Sequence, residues 1–67
     1  SLAFNKSFEG KTVPVLFDRK GKKPGQLHGR TPWNQSVHVD AGEEFLNRIV
    51  TVQVTDGFEN SLSGTFN

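Results

Sequence analysis

At 67 residues the chain is one domain near the lower limit for a self-supporting core, because a chain this short buries only about 60% of its unfolded surface. With no cysteine it has neither a disulfide framework nor a thiolate metal site, and no apolar run is long enough to cross a bilayer as a helix. The net charge of +1 is a difference between unlike parts: residues 11–30 carry six cations against Asp18 alone, a net +5, and the remainder carries two cations against six acids, a net −4. One side is thereby suited to polyanions, although a basic loop also serves simply to keep a domain solvated. The two histidines, with Asp40 as the only carboxylate expected near them, make a poor metal-ligand set. No signal-peptide pattern opens the chain. A start at Ser1 and the lack of any methionine lead us to expect a piece excised from a longer protein.

Residues 1–8 are too short to fold alone and read as the end of a helix or linker, with Leu2, Phe4 and Phe8 available to dock. Gly10 separates this tail from the domain proper, so the expected division is 1–9 linker and 10–67 domain. Residues 12–18 read as a strand with Val13, Val15 and Phe17 on one face; Pro14, which cannot donate to a ladder, points to an edge position. Residues 20–25 form a Gly/Pro loop. Residues 27–31 and 37–40 are short strands, and 49–55 is the clearest, with Val50, Val52 and Val54 alternating against Thr51 and Gln53. Residues 61–66 are a fifth strand, placing Leu62, Gly64 and Phe66 on one face. The connections 40–47 and 56–60 are turn-rich, with one helical turn possible at 43–47. Five short strands without a long helix predict an all-β fold, a small five-stranded antiparallel β-barrel, with an SH3-like barrel or an incomplete sandwich as alternatives.

The densest chemistry lies at 19–38. Arg19, Lys20, Lys22 and Lys23 form a basic loop, and the run Gln26-Leu27-His28-Gly29-Arg30-Thr31-Pro32-Trp33-Asn34 follows it with an arginine, an aromatic ring and an amide on a turn. A small protein needs that combination to hold a nucleic-acid backbone and stack on a base. If Val37 and Val39 face the core, His38 faces out. Parity then suggests a hairpin in which Thr31 opposes Val37, Arg30 opposes His38 and His28 opposes Asp40, with Trp33 at the tip. Each residue also has a plainer role. His28 and His38 suit an ordinary exposed strand face, Trp33 suits the lid of an open core end, and Arg30 suits a surface ion pair.

No catalytic constellation accompanies these residues. A Ser-His-Asp set assembled around His38 lacks a nucleophile elbow, and the glycines at 21, 25 and 29 lack the strand–turn–helix context of a phosphate loop. The expectation is a non-enzymatic fragment.

The segments Gly10-Lys11-Thr12-Val13-Pro14-Val15-Leu16-Phe17, Pro24 to Thr31, Val37-His38-Val39, Val50 to Thr55 and Asn60-Ser61-Leu62-Ser63-Gly64 resemble a TRAM domain. More narrowly, they resemble the TRAM domain of tRNA methylthiotransferases of the MiaB type. The most specific steps are Gly29-Arg30-Thr31 and Asn60 to Gly64, and the likeness spans about residues 10–66. One departure is Leu46-Asn47, where the family usually has Ile-Gly; Asn tolerates positive φ best after Gly.

The resemblance implies an RNA-binding, OB-like barrel attached to a radical-SAM catalytic domain. The parent would use 4Fe-4S clusters and S-adenosylmethionine to add a methylthio group to an isopentenylated adenosine beside the anticodon, in the cytoplasm. The expected partners are the anticodon stem-loop of a tRNA and that catalytic domain, with no membrane and with the domain as a monomer. Arg30 carries over most directly as a nucleic-acid-binding residue, with Lys11, Arg19, Lys20, Lys22, Lys23, His28, Trp33 and His38 as further candidates. A structural module packing on its parent through Trp33 or the Phe4/Phe8 tail is the main alternative. The TRAM domain of an RNA uridine methyltransferase and a peptide-binding SH3-like barrel are the others.

Overall fold

A computed structural model describes residues 1–66. A short helix, α1 (Leu2–Lys6), precedes five strands, β1 (Thr12–Lys20), β2 (Gln26–Arg30), β3 (Ser36–Asp40), β4 (Ile49–Gly57) and β5 (Leu62–Phe66), with a single 3-10 turn at Glu43–Phe45 between β3 and β4. The strands close into a barrel in the order β1-β2-β3-β5-β4, β4 pairing back onto β1. All five expected strands are present, each within one or two residues at every end. The antiparallel expectation holds for every pairing except β3–β5, which is parallel (Val37 beside Leu62, Val39 beside Gly64).

Period-2 alternation builds the interior. Val13, Val15 and Phe17 from β1, Leu27 from β2, Val37 and Val39 from β3, Val52 and Val54 from β4, and Leu62 from β5 are all buried. Each stabilises the fold by roughly 1.5–3 kcal/mol relative to an exposed side chain, the main favourable term in so small a domain. Phe66 and Phe45 close one end, ring centroids 4.7 Å apart, with Phe66 also 5.6 Å from Phe17.

Pro14 keeps a local edge position even though the barrel closes. β1 pairs with β4 along Thr12–Leu16 and with β2 from Leu16 onward, so Pro14 lies in the half of β1 that has only one neighbour. Its missing N–H therefore takes no bond from β2. Two β-bulges bend the ladders, between Phe17 and Arg19 in β1 and between Val54 and Asp56 in β4. The connection after the 3-10 turn fastens to β1: Asn47 N–H donates to the Phe17 carbonyl at 2.7 Å, and Phe17 N–H donates to the Arg48 carbonyl at 3.1 Å. Asn47 adopts φ 64°, so asparagine supplies the left-handed conformation that glycine gives elsewhere.

Candidate nucleic-acid interface

The outward faces of β2 and β3 form one surface, but its register differs from the one expected. His28 opposes His38, Arg30 opposes Ser36, Gln26 opposes Asp40 and Gly29 opposes Val37. Parity was right and the pairing slipped by two residues, a shift that leaves every side chain on its expected face. The cause lies in the loop. Thr31 N–H donates to the Gln35 carbonyl at 3.1 Å and the Thr31 hydroxyl donates to the Gln35 side-chain oxygen at 2.9 Å, which closes the turn at 31–35 rather than extending the ladder to Thr31. Thr31 and Gln35 are both buried, and Asn34 takes φ 67°.

The histidines therefore sit side by side, ring centroids 5.9 Å apart. The carboxylate beside His28 is Asp18 and not Asp40: the bulge in β1 sets Asp18 Oδ1 3.6 Å from His28 Nδ1, and Asp40 opposes Gln26. Only 15% of the His28 side chain is exposed, and its Nδ1 is buried without a hydrogen bond. Burial, reinforced by the Arg19 charge, holds the His28 pKa below its ordinary value, against the opposing pull of Asp18. The neutral form of His28 is thereby favoured in a positive setting.

Arg19, Lys20, Lys22, His28, His38 and Ser36 line an open groove of about 520 Å³, completed by Asn60 and Ser61 from the β4–β5 loop and by Gly21. It offers cations, imidazoles, hydroxyls and an amide, the mixture that suits phosphate and sugar oxygens. The cations differ in availability. Lys20 Nζ lies 3.3 Å from Glu43 Oε2, and Arg19 Nε 3.7 Å from Asp18 Oδ1, both exposed pairs of small energetic weight. Among the described residues Lys22, Lys23 and Arg30 have no carboxylate partner.

Arg30 stands at the far end of β2, roughly 13 Å of strand rise from Gln26 at the end nearer the basic loop. Its guanidinium donates to the Asn34 carbonyl at 3.2 Å and to Asn34 Oδ1 at 3.4 Å, which holds the planar fork against its own loop and leaves it exposed. Trp33 does not lid the core. It is 55% exposed and meets Phe8 edge-on at 5.3 Å, Phe8 in turn meeting Phe4 at 5.2 Å. Lys11 lies at this end too, its Nζ 5.7 Å from the Phe8 ring, well away from the basic loop with which its sequence position grouped it.

Several residues take places that the sequence reading did not give them. Ser36 completes the groove together with Asn60 and Ser61, which the sequence marks only as part of a family-like step, and Asn5 is buried beneath the loop that carries Trp33. Pro14, Leu16, Pro32 and Ile49 form an apolar patch on the other side of Arg30, with Ile49 71% exposed. A serine at a strand start, or a serine and an asparagine in a turn, carry no chemical signal that places them in a groove, and an alternating strand hides which outward apolar residues adjoin. Among the described residues no set of three His, Cys, Asp or Glu side chains is placed to hold a metal.

Comparison with known proteins decides the family. The TRAM domain model matches residues 6–66, all but the two ends of the chain. The chain belongs to the TRAM domain family. This TRAM domain is 49% identical over 63 residues to the tRNA-2-methylthio-N(6)-dimethylallyladenosine synthase of Maricaulis maris. It is 51% identical over 63 residues to the synthase of the same name from Novosphingobium aromaticivorans, and 47% identical over 64 residues to that from Rickettsia canadensis. Each match covers 94% of the chain and 14% of the relative, so the TRAM domain spans about a seventh of their length. The most specific step of the sequence resemblance also gains a physical reason. A Cβ on Gly29 would lie 2.5 Å from the Leu16 carbonyl oxygen and 2.5 Å from Val15 Cγ1, so β1 can cross there only if the residue before Arg30 has no side chain.

Proposed function

We propose that this TRAM domain is an RNA-binding accessory module of a tRNA methylthiotransferase, and that it presents the anticodon stem-loop to an upstream radical-SAM domain in the cytoplasm. The observation that carries the reading is the groove across β2 and β3, where Arg19, Lys22, His28 and His38 converge with three neutral hydrogen-bonding residues. Phosphates would lie along the groove, Arg30 would engage the backbone or a base edge, and Trp33 would offer its exposed face to an unpaired base. Lys23 and Lys20 add to the field at one end and Lys11 at the other. The domain itself runs from residue 10 to 67, residues 1–9 being the end of the linker from the preceding domain, and it acts as a monomer. The names of the relatives favour a methylthiotransferase parent over a uridine methyltransferase.

In such a parent the iron–sulfur clusters and S-adenosylmethionine supply the redox chemistry. This chain has no cysteine to ligate a cluster, so its contribution is binding and orientation. Affinity for an isolated anticodon stem-loop should be micromolar or weaker and should fall linearly on a log–log plot against salt. Neutralising about four phosphates would give a slope of about −3. Replacing Lys22 and Lys23 by glutamate should abolish binding at low salt and Arg30→Glu should weaken it. Binding indifferent to both changes would refute the reading.

A second reading, a module that packs on its parent's catalytic domain, is favoured by the apolar patch of Pro14, Leu16, Pro32 and Ile49. Protection of Ile49 in the full-length protein, with the basic groove left free, would support it.

A further inference from the structure

Asn5 is 5% exposed, the one buried residue of a five-residue helix that leaves Leu2 and Phe4 in solvent. Both ends of its amide are used. Nδ2 donates to the Phe58 carbonyl at 2.7 Å and, more weakly, to the Glu59 carbonyl at 3.4 Å. Oδ1 accepts from Gln35 Nε2 at 3.0 Å. Gln35 Oε1 then accepts from the Thr31 hydroxyl at 2.9 Å, and Thr31 Oγ1 accepts the backbone N–H groups of Trp33 at 3.2 Å and Gln35 at 3.3 Å. An unbroken run of hydrogen bonds thus joins the N-terminal helix to the loop with Arg30 at its base and Trp33 at its tip. A second tie is the Phe8 ring against Trp33.

The helix is itself fixed from the other side. Gly57 N–H donates to Glu9 Oε2 at 2.8 Å, and a Cβ at Gly57 would collide with the Asn5 backbone. The N-terminal segment is therefore built into the barrel at two independent places, and its most buried group spans them.

We infer that Asn5 is a positioning residue for RNA contact: it touches no ligand, and it holds the 31–35 loop in the one arrangement that presents Trp33 and Arg30 together. The inference rests on the RNA-binding reading given above. A fully satisfied buried polar network rigidifies the elements it joins, and a loop ordered before binding loses less freedom on association. A five-residue loop with its side-chain anchors cut would keep the barrel but scatter its tip.

Trp33 is the only tryptophan, so its fluorescence reports that tip directly. The test compares Asn5→Ala with Val52→Ala, a core change remote from the loop, by acrylamide quenching and by titration with an anticodon stem-loop under conditions where both are folded. Asn5→Ala should make Trp33 clearly more quenchable and weaken RNA binding about fivefold, the order expected for one lost buried hydrogen bond. Val52→Ala should move neither. Gln35→Met cuts the same connection from the loop side and is read in its place if Asn5→Ala does not fold. Unchanged quenching and affinity in the Asn5 or Gln35 variant, or equal changes in Val52→Ala, would overturn the inference. If the unaltered domain binds no RNA, the functional reading fails, and the quenching comparison still decides whether Asn5 positions the loop.

Discussion

His28 stands at the junction of the β1 bulge and the β2–β3 face, where burial and the Arg19 charge outweigh Asp18 and lower its pKa. The sign of its linkage to folding follows. The folded-state pKa lies below the unfolded value near 6.5, so the unfolded chain binds the proton more tightly. The contribution of His28 to stability is complete above that value and is lost as the pH falls through it toward the folded pKa. The urea midpoint should therefore decline more steeply in the original chain than in His28→Gln between about pH 7 and 5.5. Equal slopes would show that His28 titrates as it does in the unfolded chain. A phosphate in the groove favours the imidazolium, so the NMR titration midpoint of His28 should rise when RNA is bound. Arg30 illustrates a different residue-level point. Its fork is already oriented by Asn34, and replacement by lysine would keep the charge but lose the planar bidentate geometry.

At the scale of elements, period-2 alternation made the strands legible, because a buried face on each strand leaves little freedom in which residues point inward. Val13, Val15 and Phe17, and Val52 and Val54, lie where their spacing put them. Register is another matter. Sliding β3 by two residues against β2 preserves both faces, so parity could not separate Arg30 beside His38 from Arg30 beside Ser36. What chose between them is the buried Thr31–Gln35 clasp and its bond to Asn5, a contact across 30 residues that no local pattern encodes. The β1 bulge was equally invisible, and it is why Asp18 rather than Asp40 meets His28. The Gly29-Arg30-Thr31 step now divides into three physical requirements: close passage of β1, a cation at the strand end and a loop clasp. Gly29→Ala should cost about 1–3 kcal/mol of stability, read as a lower urea midpoint, because the new methyl meets backbone and a buried valine rather than a side-chain tip. A variant as stable as the original would mean that β1 can yield there.

Across the whole molecule, the charge division seen along the chain survives folding only in part. Glu43 reaches Lys20 and Asp18 reaches Arg19, while Lys11 lies at the opposite end beside Phe8. Among the described residues Lys22, Lys23 and Arg30 are the cations of this flank that no carboxylate contacts, and the histidine pair lies between them. An apolar patch that Arg30 helps to line occupies the neighbouring flank, and Arg30 pairs across the strands with Ser36 of the groove. On the proposed reading such a domain would meet RNA on one side and a parent domain on the other, and a modest intrinsic affinity would suffice when tethering raises the effective concentration. The most direct test of that arrangement is a residue-resolved NMR titration of the domain with an anticodon stem-loop. Shifts should cluster on Arg19, Lys22, His28, Arg30, Trp33, His38 and Ser61, leaving Leu16 and Ile49 undisturbed. Shifts centred on Leu16 and Ile49, or scattered evenly over the barrel, would contradict the account.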